Sequence, residues 1–164
     1  MSEYVFKETQ RFKQIWIWAV LVGVTAISLW ELFFIESSKP TESWGKALPL
    51  VILFLVFALL LNLKLKIRID SESLKFSFYP IIRERKYQFE DIDSMELIEY
   101  NGLLEYGGWG IKWNLNSWSY TTGGRHGILV KTGNKKFLLG THKPEEAKKA
   151  LEQFASFKSQ SYGS

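Results

Sequence analysis

The hydrophobic pattern of the chain changes its period along its length. From Ile15 to Ile35, "IWIWAVLVGVTAISLWELFFI" is apolar all round, broken only by Thr25, Ser28 and Glu31. At 1.5 Å per residue the run reaches roughly 30 Å, about one hydrocarbon core. A second run, "ALPLVILFLVFALLLNL" from Ala47 to Leu63, is shorter and just long enough to cross. A cleaved signal peptide fits less well, because its apolar region spans only ~7–15 residues and ends in small side chains. The first run is longer, ends in bulky aromatic residues and is followed by a second. The pattern predicts a transmembrane helical hairpin.

From Lys64 the period falls to two. In "KLKIRID", Leu65, Ile67 and Ile69 share one face and Lys66 and Arg68 the other, as in a half-buried strand. After "SES" turns the chain, Leu74, Phe76 and Phe78 repeat the pattern. "RKYQF" and "SMELIEY" predict two more strands, the second with a less clean alternation. "HGILVKT" and "KKFLLGT" predict a hairpin around Gly133-Asn134, a pair suited to a two-residue turn. The last segment, "KPEEAKKALEQFASF", is helical by its local signs. Pro144 suits the first helical position, and Glu145 and Glu146 suit the positive end of the helix dipole. Ala147, Ala150, Leu151 and Phe154 form one apolar stripe that needs a surface to cover. The expected layout is a hairpin unit over 1–63, a β-domain over 64–157 and a polar tail over 158–164.

Two segments read less simply. The N-terminal "YVFKETQRFKQIW" alternates aromatic and charged residues. It fits an interfacial segment with Lys7, Arg11 and Lys13 towards anionic headgroups, and equally the first turns of the span projecting into the cytoplasm. The second is "YGGWGIKWNLNSWSYTTGGRHGILV", Tyr106 to Val130. Read with period two, Trp109, Ile111, Trp113 and Leu115 share a face, which usually means core. Trp118 and Tyr120 re-phase together, and with Arg125 and His126 on or beside an exposed turn they form a candidate ligand or partner surface. Core packing fits Trp118 and Tyr120 as well. A phosphate-cradling loop fails on context, because strands flank the glycines and the GxxxxGK[ST] spacing is absent.

Charge changes the picture in two ways. Lys7, Arg11 and Lys13 precede the first run and Lys64, Lys66 and Arg68 follow the second, while the connecting loop offsets Lys39 and Lys46 with Glu36 and Glu42. The distribution of Lys and Arg places both termini in the cytoplasm. Trp16 and Trp18 then mark the inner interface and Trp30 and Trp44 the outer one. Glu31, beside Trp30 and without an intramembrane partner, reads as a headgroup-level carboxylate ahead of a proton or ion relay. Because Leu63 to Leu65 passes from apolar run to strand without Gly, Pro or Ser, the β-domain is expected to press on the cytoplasmic leaflet.

The net charge of +4 is too small and too dispersed for nucleic acid, and the absence of cysteine excludes disulfides and thiol chemistry. Arg83, Arg85 and Lys86 form the best basic cluster, a candidate anionic-lipid contact whose plainer reading is a solvated turn near the membrane. His126 and His142 lie on separate elements with no metal-ligand pair, and Glu105 with His126 lacks a nucleophile. No enzyme, no cofactor and no metal is therefore expected.

Some seven strands closed by one amphipathic helix, with "FKETQRFKQIWIW", "YGGWGIKW", "WSYTTGG" and "KKFLLGTHKPEEAKKALE" in order, resemble the bacterial pleckstrin-homology-like (PH-like) membrane proteins, over most of the chain. The resemblance implies a cytoplasmic PH-like β-barrel or roll of about seven antiparallel strands, tethered to the bacterial inner membrane by a helical hairpin. It assigns no activity. In lipid-binding PH domains basic residues flank the first turn and grip phosphoinositides; here that turn, Asp70 to Ser73, is acidic, which argues against such a grip. The expected role is a membrane-tethered interaction or scaffolding module, its partner a protein or a second copy of the chain. The alternative is a sensor of anionic lipid or envelope state that reads headgroups through its basic and aromatic turns.

Overall fold

The computed structural model describes residues 5–34 and 40–162, without the side chains of 40–44, 46, 161 and 162. The chain divides into two compact units. One takes in the residues up to Phe12 and from Leu63 onward; the other is Lys13–Asn62.

The second unit holds helices α1 (Ile15–Phe34) and α2 (Pro40–Asn62). Among the described residues, α1 is the one helix long and apolar enough to cross a membrane. The apolar part of α2, Ala47–Asn62, spans roughly 24 Å at 1.5 Å per residue and falls short of that test, so the expected transmembrane hairpin, with its second run just long enough to cross, is corrected to one membrane-capable helix among the described residues. Most side chains of α1 face outward, Ile15 at 83% and Phe33 at 75% exposure, while Ser28 is buried. Trp18 lies against Phe57, ring centroids 5.9 Å apart, which sets the start of α1 beside the end of α2. The polar groups within these helices bond to their own backbone: Thr25 Oγ1 donates to the Leu21 carbonyl and Asn62 Nδ2 to that of Ala58, both at 2.7 Å.

The other unit contains two sheets. The first runs β1 (Phe6–Arg11), β2 (Lys64–Ile69), β3 (Ser73–Tyr79) and β4 (Ile82–Gln88) in that spatial order, all antiparallel. After a 3-10 turn at Phe89–Asp91 come β5 (Ser94–Glu99), the short helix α3 (Gly102–Tyr106), β6 (Gly110–Trp113), β7 (Trp118–Thr121), β8 (His126–Thr132) and β9 (Lys135–Thr141). These strands form the second sheet in the order β5-β8-β9-β7-β6, antiparallel except for the β7/β9 pair. Among the described residues no strand pair joins the two sheets, so the expected barrel or roll of about seven antiparallel strands is corrected to two open sheets of four and five strands.

The alternation read from β2 and β3 holds: Leu65, Ile67, Ile69, Leu74, Phe76 and Phe78 are buried. They meet Tyr120, Ile128, Val130, Phe137 and Leu139 of the second sheet in one core. Helix α4 (Pro144–Tyr162) closes it with Ala147, Ala150 and Phe154, the last packed edge-on against Phe89 at 5.2 Å.

The N-terminal segment, expected as an interfacial strip or the first turns of a span, forms a strand over Phe6–Arg11. It is β1, paired with β2 from Phe6↔Ile69 to Arg11↔Lys64. Its inward face reads Phe6, Glu8, Gln10, all buried. The Glu8 carboxylate accepts from Thr141 Oγ1 at 2.6 Å and the His142 N–H at 2.9 Å. Gln10 donates to the Gly140 carbonyl at 2.6 Å and accepts from Thr122 Oγ1 at 2.8 Å. A buried polar seam thus fastens β1 to the end of β9, with each of these groups satisfied.

Candidate functional site

The sequence pattern grouped Trp118, Tyr120, Arg125 and His126 on one surface. The fold separates them. Trp118 is half-exposed at 49%, whereas Tyr120, next but one on β7, is buried among Phe76 and Phe137. Arg125 lies in a different cleft, and His126 is half-buried on β8 with Glu99 and Thr141 as its neighbours across the strands. Glu105 does not serve His126: its Oε1 accepts the Asn101 N–H at 2.8 Å and fastens the start of α3.

Around Trp118 a cleft of about 230 Å³ opens between β4, the β6–β7 hairpin and the β8–β9 turn. The hairpin pairs Trp113 with Trp118, ring centroids 6.4 Å apart. Contrary to the core reading, Trp113 is 58% exposed and Leu115 is 81% exposed. Trp109 and Ile111, on the same expected face, are half-buried. Leu115 also holds a left-handed φ of 66°, a conformation that costs a residue with a Cβ. Asn114 makes the turn by accepting from the Ser117 N–H at 3.0 Å. Arg85, Lys135 and Lys136 line the cleft, and no acidic residue does. Tyr120 forms its floor. Burial pushes the Tyr120 hydroxyl up, and the positive charge of Arg85 pulls it part of the way back.

A larger, open cleft of about 630 Å³ lies on the other side of the glycine-rich stretch, with Glu99, Tyr100, Glu105, Trp109 and Arg125 on its walls. Trp109 forms one wall because Gly102 lets it in: a Cβ there would stand 2.7 Å from the indole nitrogen. Tyr100 is buried, and burial drives its hydroxyl up to about 12. A neutral phenol bonded to the Gly123 carbonyl at 3.3 Å holds the loop in place. Among the described residues no group of three or more His, Asp or Glu side chains could hold a metal ion.

The expected lipid-contact residues also divide. Arg83, Arg85 and Lys86 lie on β4, an edge strand, and not in a turn. Arg85 faces the Trp118 cleft, while Lys86 lines a shallow opening beside Asp91 and the Gly133–Asn134 turn. The acidic turn after β2 is occupied by its own bonds. Asp70 accepts from the Glu72 and Ser73 N–H groups, from Ser73 Oγ and from Lys75 Nζ at 2.8 Å. Burial acts to raise its pKa, but Lys75 and the N–H donors outweigh this and bring it down to about 2. Of the expected interface anchors, Trp16 and Trp30 are exposed at 56% and 60%, Trp18 packs on Phe57, and Trp44 falls outside the described side chains.

Comparison with protein-family models, with curated proteins and with solved structures gives no match to this chain. Two features of the site were not read from the sequence. Leu115 followed the strand alternation and so looked buried; the Asn114-Leu115-Asn116 signature of a tight turn could have exposed it. Lys135 and Lys136 were assigned to a hairpin without regard to what the β8–β9 turn faces.

Proposed function

We propose that the chain is a membrane-tethered, non-catalytic interaction module of PH-like type, held at the cytoplasmic face of a bacterial inner membrane. The observation that carries this is the pairing of β1 with β2 across the helical segment, Arg11 opposite Lys64. A segment whose two ends leave one sheet as neighbouring strands begins and ends on the same side of a bilayer. If α1 crosses, α2 must bring the chain back. The whole of α2 has 23 residues, roughly 34 Å of helix, so it reaches across when its first turns, with Glu42 and Lys46, stay at the far headgroups. Removal of α1 as a signal sequence would also cost the sheet β1 and its seam.

The cleft at Trp113, Leu115 and Trp118 is the surface the module offers. Exposed indoles beside Arg are enriched where proteins meet partners. A photoreactive side chain in place of Trp118, in the full chain in native membranes, is expected to crosslink to one protein species or to a second copy. Absence of any protein adduct contradicts this reading. The acid-free lining of Arg85, Lys135 and Lys136 favours a second reading, an anionic-lipid sensor, and adducts to lipid alone would select it.

A further inference from the structure

The strand register identifies which end of the first sheet the helical segment leaves. Arg11 opposes Lys64, and Lys64 in turn opposes Tyr79. Helix α1 begins at Ile15, four residues past Arg11, and α2 ends at Asn62, two before Lys64. Neighbouring strands lie about 4.8 Å apart, so Tyr79 stands beside Lys64, where the chain returns to the sheet. The turn that follows Tyr79 is apolar and open: Tyr79 is 55% exposed and Ile81 56%, with the Ile81 N–H bonded to the Phe78 carbonyl. The residues at this end include Arg11, Lys13, Lys64 and Arg83, and no acid occurs in 11–14, 63–64 or 79–83. The opposite end of the same hairpin carries the acidic turn of Asp70 and Glu72.

We propose that the connection from β3 to β4, Tyr79 to Ile82, together with Arg83 at the start of β4, is a membrane contact separate from the helices. Tyr79 and Ile81 seat at the boundary between headgroups and acyl chains of an anionic bilayer, while Arg11, Lys13, Lys64 and Arg83 meet the lipid phosphates. This rests on the tethered reading above and deepens it. An aromatic ring with a polar tip suits that boundary, and each cation near an anionic surface adds to the attraction. It also redraws the basic cluster. Arg83 belongs to the membrane end, whereas Arg85 and Lys86, opposite Phe76 and Lys75, lie further along the sheet. The acidic turn lies at the opposite end of β2 from Lys64, so its charge does not oppose docking.

The chain contains no cysteine, so a single introduced one carries a label uniquely. Ile81→Cys, bearing a polarity-sensitive fluorophore, is placed in nanodiscs at one copy per disc, and Phe54→Cys, on the exposed side of α2, serves as reference. The expected result is blue-shifted emission at position 81 in discs containing phosphatidylglycerol. The shift should be smaller in pure phosphatidylcholine and lost when Arg11→Gln and Arg83→Gln are added. Water-like emission at 81 with blue-shifted emission at 54 overturns the proposed contact and leaves the tether standing. Water-like emission at both positions overturns the tether, and the contact with it. An equal shift at 81 in both lipids overturns the role given to the cations. Unchanged thermal unfolding of each labelled variant in detergent shows that the fold is intact.

Discussion

Asp70 and Leu115 illustrate two ways in which one side chain can be set against its surroundings. Asp70 is a buried carboxylate stabilised by four donating groups, and its folded pKa of about 2 lies below the ordinary carboxylate value near 4. Its stabilising effect is therefore complete above about pH 4 and is lost as pH falls through about 2. Replacing Asp70 by Ala should cost about 1–3 kcal/mol at neutral pH, by leaving the Ser73 and Glu72 N–H groups without their acceptor. The gap between variant and wild type should close between roughly pH 4 and pH 2, as read by chemical denaturation at each pH. Leu115 is the opposite case, exposed and held at a left-handed φ with no burial to offset the strain. Leu115→Gly should raise stability by about 0.5–1 kcal/mol while weakening crosslinking from position 118. A gain in stability with crosslinking unchanged would show that Leu115 plays no part in the interface.

Among the elements, β1 bears the most on how the domain is delimited. Alternating Phe, Glu and Gln gave no hydrophobic face to read, because two of its three inward positions are polar and are paired 112 to 134 residues away, with Thr122, Gly140, Thr141 and His142. Only the tertiary seam makes Glu8 and Gln10 inward residues. By contrast β2, β3, β8, β9 and α4 were legible, since each buries an apolar face of regular period. The β6–β7 hairpin was half legible: its glycines marked turns correctly, but the strand ended at Trp113, two residues before Leu115, and so the tip faced solvent. Two consequences can be measured. A chain starting at Phe12 should lose the folded β-unit or unfold far more readily, because the edge of β2 and the core beneath Phe6 are uncovered. Glu8→Ala should destabilise by about 1–3 kcal/mol, since Thr141 Oγ1 and the His142 N–H then lose their acceptor. Thermal unfolding in detergent reads both, and an unchanged midpoint for either would show that the seam is dispensable.

At the scale of the molecule, one pairing governs the rest. The chain leaves the sheet at Arg11, runs through two helices and returns at Lys64 as the neighbouring strand. Apolar length identified α1 and not α2 as able to cross a membrane; the return crossing proposed for α2 rests on the strand pairing. The most direct measurement is site-specific labelling with a membrane-impermeant maleimide in sealed right-side-out vesicles, using Lys7→Cys, Ser37→Cys and Lys158→Cys one at a time. Labelling of position 37 from outside, with positions 7 and 158 labelled only after the vesicles are opened, is the predicted result. Labelling of 7 and 158 on opposite sides, or of all three from the same side, would contradict the account.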